Sequence, residues 1–207
     1  MNANNQTLKE RALHSLSGKW DIALGTFFIC SLITIGTAFI PGVGNFVGIF
    51  VDGPLSLGVS MFSLRLSKNQ PIATSNLFEG FNHFGIAVSA AILMGIFTVL
   101  WGLLLIVPGI IAAISYSQTF YILAENPSMS GMEAIEKSKE MMQGHKARFF
   151  GLVISFIGWF LLALLSAGIG FLWLSPYFHL TLTQFYQDLK GDELETDLTI
   201  PDVLDAN

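Results

Sequence analysis

The chain has 207 residues, of which 52% are hydrophobic and 12% are charged, and its mean hydropathy is +0.60. Soluble domains usually carry about 25% charged residues, so this composition argues against an ordinary soluble domain. The net charge of −5 argues against nucleic-acid binding, which needs a basic face. The single cysteine, Cys30, allows neither an intramolecular disulfide nor a cysteine-cluster metal site.

Apolar runs predict the fold class. No Asp, Glu, Lys or Arg occurs in residues 80–124 or 149–187, and each run could hold two membrane spans of about 20 residues. The predicted fold is all-α, a polytopic membrane helical bundle with about six transmembrane helices arranged as three hairpins. The predicted spans are residues 21–40, 46–66, 84–107, 109–124, 149–167 and 171–187.

Glycine and proline predict the turns within the hairpins. The turns fall at residues 41–45, at Pro108-Gly109 and at residues 168–170. The first apolar run exceeds a signal-peptide core of about 7–15 residues and lacks a small-residue cleavage site, so we interpret it as an uncleaved span. Residues 1–189 form the predicted membrane domain. Residues 190–207 form a predicted acidic, disordered cytoplasmic tail.

Polar residues within the spans predict an internal polar layer. Its candidate members, at similar depths in spans 2, 4 and 6, are Asp52, Ser115, Gln118 and His179. A carboxylate in a membrane must be satisfied by neighbours, so Asp52 either bonds them in its neutral form or titrates with His179 on a proton or ion path. The break at Gly53-Pro54 leaves a third reading, with Asp52 exposed in an irregular outer loop.

Two further segments predict helix contacts. Ala87, Ala91 and Gly95 recur every fourth residue in the third span, which lets another helix approach closely. Residues 131–147 predict a helix on the cytoplasmic membrane surface, starting with the capping-box pair Ser130 and Glu133. Its apolar face would comprise Met132, Ile135 and Met142, and its candidate basic face Lys137, Lys139, Lys146 and Arg148. A solvated connecting helix is the alternative.

The basic residues predict the topology. All ten Lys and Arg fall in the N-terminus, the 65–83 link, the 125–148 segment or the tail, and none falls in the three turns. Six spans place these regions on one side, which the positive-inside rule makes cytoplasmic. We therefore expect the N- and C-termini in the cytoplasm.

Motifs of catalysis are missing from the sequence. It contains no phosphate-binding loop, no Gly-x-Ser-x-Gly and no His-Glu-x-x-His. The four histidines lie in separate segments without ligand spacing. We expect no enzyme activity, no cofactor and no metal site.

An ordered set of short motifs resembles a known family. The motifs are Leu77-Phe78-Glu79-Gly80-Phe81, Leu100-Trp101-Gly102-Leu103-Leu104, Val107-Pro108-Gly109-Ile110, Tyr116, Glu125-Asn126-Pro127, Ser138-Lys139-Glu140-Met141-Met142, Gly144-His145-Lys146, Phe156-Ile157-Gly158-Trp159, Pro176-Tyr177 and Phe185-Tyr186. They resemble a bacterial integral-membrane family, domain of unknown function 975, related to the membrane domain found with some glycerophosphodiester phosphodiesterases. The resemblance implies a multi-pass bacterial plasma-membrane protein. It supplies no established activity and no catalytic residues, and Asp52 maps onto none of its motifs.

Three functions stay open at this point. The first is a non-enzymatic membrane protein that acts through lipids, a protein partner or a second copy of itself, in envelope maintenance or protection against membrane-active peptides. The alternative is a small transporter or ion-coupled permease with a polar path between spans 2, 4 and 6. The third is an intramembrane enzyme acting on lipid.

Overall fold

The computed structural model describes residues 3–38 and 44–199, and within these ranges it is helical with no β-strand. The α-helices are α1 (Asn5–Leu16), α2 (Trp20–Ala38), α3 (Gly44–Ser67), α4 (Phe84–Leu104), α5 (Ile106–Ser115), α6 (Thr119–Glu125), α7 (Gly131–Met141), α8 (Lys146–Ile154), α9 (Ile157–Leu165) and α10 (Phe171–Thr199). A 3₁₀ helix, Thr74–His83, leads directly into α4. The predicted all-α fold class is confirmed for the described residues.

Helix α3 is the central element, and the 3₁₀ helix packs tightly against it. Gly58 of α3 lies against the backbone of Leu77, and Gly80 lies against the carbonyl of Pro54. Neither glycine has room for a Cβ atom, which would lie 1.8 Å from the Leu77 oxygen or 2.0 Å from the Pro54 oxygen. The second half of the 65–83 link is therefore a packed helix.

The predicted small-residue stripe of the third span is confirmed in two of its three positions. A Cβ on Gly53 of α3 would lie 2.8 Å from the carbonyl oxygen of Ala87 and 3.2 Å from the Cβ of Ala91. Small side chains at these positions let the two backbones approach closely. Gly95 makes no such contact, because a Cβ there would meet no atom within 4 Å.

Four helical stretches of the described residues are long and apolar enough to cross a membrane. They are Trp20–Thr37, Thr74–Leu103, Ile106–Glu125 and Lys146–Leu165. The predicted count of six spans is therefore wrong. Helices α3 and α10 occupy the positions of the second and sixth predicted spans, but they carry Asp52, Arg65, His179, Gln184 and Asp188, and such side chains lower their hydropathy.

The turn predicted at Pro108-Gly109 lies three residues too late. Leu105 is the extended residue between α4 and α5, with φ −163° and ψ 144°. Pro108 lies in the first turn of α5, where its missing N–H would have had no helical acceptor. The third predicted turn is confirmed, because residues 166–170 form turns between α9 and α10. Most of the first lies outside the described residues, and Gly44 and Asn45 begin α3.

Helix α10 also crosses the predicted boundary at Leu189. It continues to Thr199, so residues 190–199 are helical and not the disordered segment predicted. No proline interrupts the chain between Pro176 and Pro201, so nothing in the backbone ends the helix at residue 189. Residues 200–207 of the predicted tail lie outside the described residues.

The buried and exposed apolar residues are unevenly distributed. The core centres on α3, α6 and α10, where Phe62, Ile122 and Phe185 are almost fully buried. Large apolar side chains elsewhere face outward, including Leu103 (79% exposed) and Leu165 (83% exposed). Helices α4, α5, α8 and α9 therefore present apolar surfaces outside the core.

Candidate functional site

Asp52 lies within α3 and not in an irregular loop. The helix is continuous from Gly44 to Ser67 and includes Pro54, which contradicts the loop reading. The Asp52 side chain is nevertheless exposed. Among the described residues it has no hydrogen-bond or ion-pair partner, so the predicted bonds from His179 and from span 4 side chains are not seen.

Asp52 and His179 line one cavity between α2, α3, α6 and α10. Its volume is about 340 Å³. The polar side chains of its wall are Cys30, Thr34, Asp52, Ser56, Ser60, Ser117, Tyr121 and His179. Apolar residues such as Leu55 and Phe120 complete the wall. The two candidate residues that were predicted to lie at similar depth are thus brought to the same cavity.

Packing fixes the position of His179 in this wall. Its ring lies 5.2 Å from the ring of Phe27. The hydroxyl of Tyr121 donates to the His179 carbonyl oxygen at 3.3 Å, and that of Thr183 donates to the same oxygen at 2.9 Å. Tyr121 in turn stacks on Tyr186, with ring centroids 5.4 Å apart. The contact with Phe27 therefore positions the imidazole ring, and the two hydrogen bonds to the carbonyl oxygen position the His179 backbone.

Ser115 and Gln118 belong to a separate polar cluster. The Gln118 N–H donates to the Ser138 hydroxyl at 3.2 Å, and that hydroxyl donates to the Ser115 carbonyl oxygen at 2.8 Å. Gln118 reaches the cavity only indirectly, because its Nε2 donates at 2.8 Å to Ser117, a cavity residue. The predicted polar layer is therefore divided into two groups, Asp52 with His179 at the cavity and Ser115 with Gln118 near Ser138. Ser117 connects them, because it lines the cavity and accepts from Gln118. The buried Oε1 of Gln118 has no partner among the described residues.

The four predicted basic residues do not share one face. Lys137 and Lys139 are exposed on α7, whereas Lys146 and Arg148 are half-buried on α8. Arg148 forms an ion pair with Asp188 and also donates to the Ala3 carbonyl oxygen at 2.6 Å. A turn at residues 142–145 separates α7 from α8, so no single helical face includes all four.

The apolar face predicted for residues 131–147 needs a similar correction. Ile135 and Met142 are buried, but Met132 is 42% exposed. The buried face of α7 instead comprises Gly131, Ala134, Ile135, Ser138 and Met141, which pack on α4 and α6. The predicted capping box is confirmed, since Glu133 N–H donates to Ser130 Oγ at 3.3 Å and Ser130 N–H donates to the Glu133 carboxylate at 2.9 Å.

Lys139 and Lys146 line a second cavity, which we call the basic slot. Its volume is about 230 Å³, and its walls are Trp101, Pro108, Ile111, Ala112, Ser115, Tyr116, Lys139 and Lys146. The walls are thus mostly apolar, with two lysines and no acidic residue among the described lining residues. Neither lysine has an ion-pair partner in the described part of the chain.

Sequence reasoning missed two ionic clusters. Glu125 accepts from Lys68 at 2.6 Å, from Lys190 at 2.7 Å and from the Tyr186 hydroxyl at 2.8 Å. Glu79 accepts both guanidinium nitrogens of Arg65, at 2.8 and 2.6 Å. These groups surround a polar cavity of about 560 Å³. A carboxylate at the end of an apolar run, as Glu125 is, was the available signal.

The comparisons with known proteins reach only part of the chain. Residues 103–193 match the model of a family described as "Protein of unknown function (DUF975)". No curated protein and no solved structure matches the chain. The matched stretch supports an uncharacterised family and includes His179, Lys139 and Lys146. Asp52 lies outside it.

Proposed function

We propose that this protein is a non-enzymatic integral protein of the bacterial plasma membrane that acts through contacts with lipid. One observation carries the proposal. Many large apolar side chains of α4, α5 and α9 are exposed, with Leu103, Ile106 and Leu165 between 77% and 83% exposed, and water disfavours so much exposed apolar surface. Lipid is the medium that suits such helices, and four stretches have the length and composition to cross it.

Fractionation tests the membrane part of this proposal. The protein would be expressed in a bacterial host, and its membranes would be washed with alkaline carbonate. We expect it to stay in the membrane pellet and to leave only with detergent. Release by carbonate would contradict an integral location.

Lipid analysis of a strain that lacks the protein tests its role, and an accumulated lipid substrate with a depleted product would point to an enzyme instead.

The proposed topology has both termini in the cytoplasm. It requires that α3 and α10 run the length of the helical bundle beside the four candidate spans, because four crossings alone would put residue 68 on the side opposite to the termini. It is supported by the ion pairs that join Lys68 and Lys190 to Glu125 and Arg148 to Asp188, and by the absence of Lys and Arg from residues 166–170. Single cysteines in a Cys30→Ala background would be labelled with an impermeant thiol reagent in intact cells. We expect labelling at position 169 and none at position 68, and the opposite pattern would reverse the topology.

We also propose that the family extends over the whole chain. The motifs before residue 103 support this, because Leu77 and Gly80 pack against α3 and α3 packs against the matched helices α6 and α10. The relation to the membrane domain found with some glycerophosphodiester phosphodiesterases belongs to the same proposal. Deletion of residues 1–70 should then prevent folding of the remainder, and a stably folded fragment would contradict it.

A small ion-coupled permease is the second candidate function. It is favoured by the cavity that Asp52 and His179 share, since ionisable groups that face a cavity between membrane helices are typical of ion and proton paths. Purified protein in liposomes would be tested for proton and monovalent-cation flux, with Asp52→Asn as the variant. Flux that Asp52→Asn abolishes would favour the permease over the lipid-contact function. Equal flux in liposomes with and without the protein would contradict the permease function.

A further inference from the structure

We propose that the basic slot binds one anionic phospholipid, with its phosphate at Lys139 and Lys146 and an acyl chain along α5. The inference rests on the proposed membrane location and names the lipid class and the site. The two lysines belong to different helices, α7 and α8, and they meet at the same cavity because the turn at 142–145 folds α8 back towards α5. Sequence spacing alone does not place them together.

The charge of the slot selects an anion. Two lysines line it, and no acidic residue is among the described lining residues. Three other cations are engaged, since Arg148 faces Asp188, and Lys68 and Lys190 face Glu125. Lys137 is exposed and does not line the slot. The charges that line the slot, those of Lys139 and Lys146, are not offset by an ion pair within the described chain.

The walls of the slot select an amphiphile over a free anion. Trp101, Pro108, Ile111, Ala112 and Tyr116 offer apolar surface beside the two charges. Trp101 and Ile111 are 49% and 45% exposed, so the slot opens onto the apolar outer surface of α4 and α5. A soluble phosphate would leave this surface uncovered, whereas an acyl chain would cover it. An anionic phospholipid satisfies both the charged and the apolar parts.

Trp101 gives a local probe. The chain has four tryptophans, so Trp20→Phe, Trp159→Phe and Trp173→Phe would leave Trp101 as the reporter. The protein would be placed in phosphatidylcholine vesicles containing a small fraction of phosphatidylglycerol, with bromine on the chains of one lipid or the other. We expect brominated phosphatidylglycerol to quench Trp101 at a lower fraction than brominated phosphatidylcholine. Equal quenching by the two lipids would overturn the proposal.

Two variants separate the slot from the general basic surface. Lys139→Gln with Lys146→Gln should weaken the preference by roughly 10- to 30-fold, the effect expected for two basic groups near an anionic lipid. Lys137→Gln is the matched control, because Lys137 is an exposed lysine of the same helix that does not line the slot. An unchanged preference in the double variant, or an equal loss in the control, would overturn the assignment.

Two further measurements distinguish a lipid site from a phosphate site and cover the case in which the tryptophan variants do not fold. Relief of the quenching by millimolar inorganic phosphate would overturn the lipid assignment and make the slot a phosphate site. If the three tryptophan replacements prevent folding, native mass spectrometry of the Lys139/Lys146 and Lys137 variants in the natural background measures retained phosphatidylglycerol, and equal retention would overturn the proposal. If the protein resists the carbonate wash but shows no lipid preference, only this inference is contradicted. If carbonate releases the protein, the proposed function is contradicted.

Discussion

Gly58 of α3 lies directly on the carbonyl group of Leu77 in the 3₁₀ helix, so close that a Cβ atom at Gly58 would lie 1.8 Å from the Leu77 oxygen. This contact explains how ten residues of a polar-looking link become a packed element. With Gly80 against Pro54 and Ala87 against Gly53, it joins the 3₁₀ helix and the start of α4 to α3 along one continuous seam. The seam holds α3, and with it Asp52, in place.

Gly58→Ala should destabilise the protein by at least about 1–3 kcal/mol, the scale of overpacking in a closely packed interior. The obstacle is backbone on a second helix, which no side-chain rotation can relieve. Gly95→Ala is the control, because a Cβ there meets nothing within 4 Å and alanine favours helix by about 0.5–1 kcal/mol. Thermal unfolding in detergent measures both. A stable Gly58→Ala protein would contradict the seam.

Asp188 joins the N-terminus to the end of the bundle, and Asp188→Asn should weaken that junction. Its carboxylate, 8% exposed, faces Arg148 and accepts from the backbone N–H of Ala3 at 3.2 and 3.3 Å. Loss of the charge should cost about 1.5–3 kcal/mol, as for a hydrogen bond to a charged group. Asp21→Asn, at an exposed position, should change stability by less than about 0.5 kcal/mol. Equal unfolding midpoints for the two variants would refute the junction.

The long helices could be predicted from the sequence because apolar runs of this length have few alternatives. Their ends were less predictable. Pro108 suggested a turn, yet a proline in the first turn of a helix loses no backbone hydrogen bond, so the chain breaks at Leu105 instead. The seam at Gly58 depends on contact between two elements, which no local pattern reveals.

The members of the candidate site could be predicted where their depth along a helix determined the contact. They could not be predicted where the contact depended on the direction that a turn gives to the side chains. Asp52 and His179 share a cavity because both lie about two helical turns from a chain reversal. Ser115 and Gln118 lie at a similar depth, but the turn at residues 116–118 points them towards Ser138. Likewise, the turn at 142–145 separates Arg148 from Lys139, because helical periodicity does not continue across it.

Replacement of Asp52 should leave stability almost unchanged. A buried carboxylate that bonds its neighbours is one of the three readings of the sequence, but the side chain is exposed and has no partner among the described residues. We therefore expect Asp52→Leu and Asp52→Asn to unfold within about 0.5 kcal/mol of the natural protein in detergent. A large loss of stability in Asp52→Leu would instead restore the buried polar layer.

The capping box of α7 should give the protein a measurable pH dependence. Hydrogen bonds from Ser130 hold the pKa of Glu133 below its ordinary value of 4.5. Because the folded-state pKa is the lower one, the stabilisation is complete above the unfolded value and is lost as the pH falls through the folded value. Glu133→Gln should therefore be less stable than the natural protein at pH 7, and the difference should shrink as the pH falls below about 4.5. Thermal unfolding in detergent across this range measures it, with the exposed Glu136→Gln as the control expected to show no such convergence. A stability difference that stays constant down to the lowest pH would show that the Glu133 carboxylate does not cap α7.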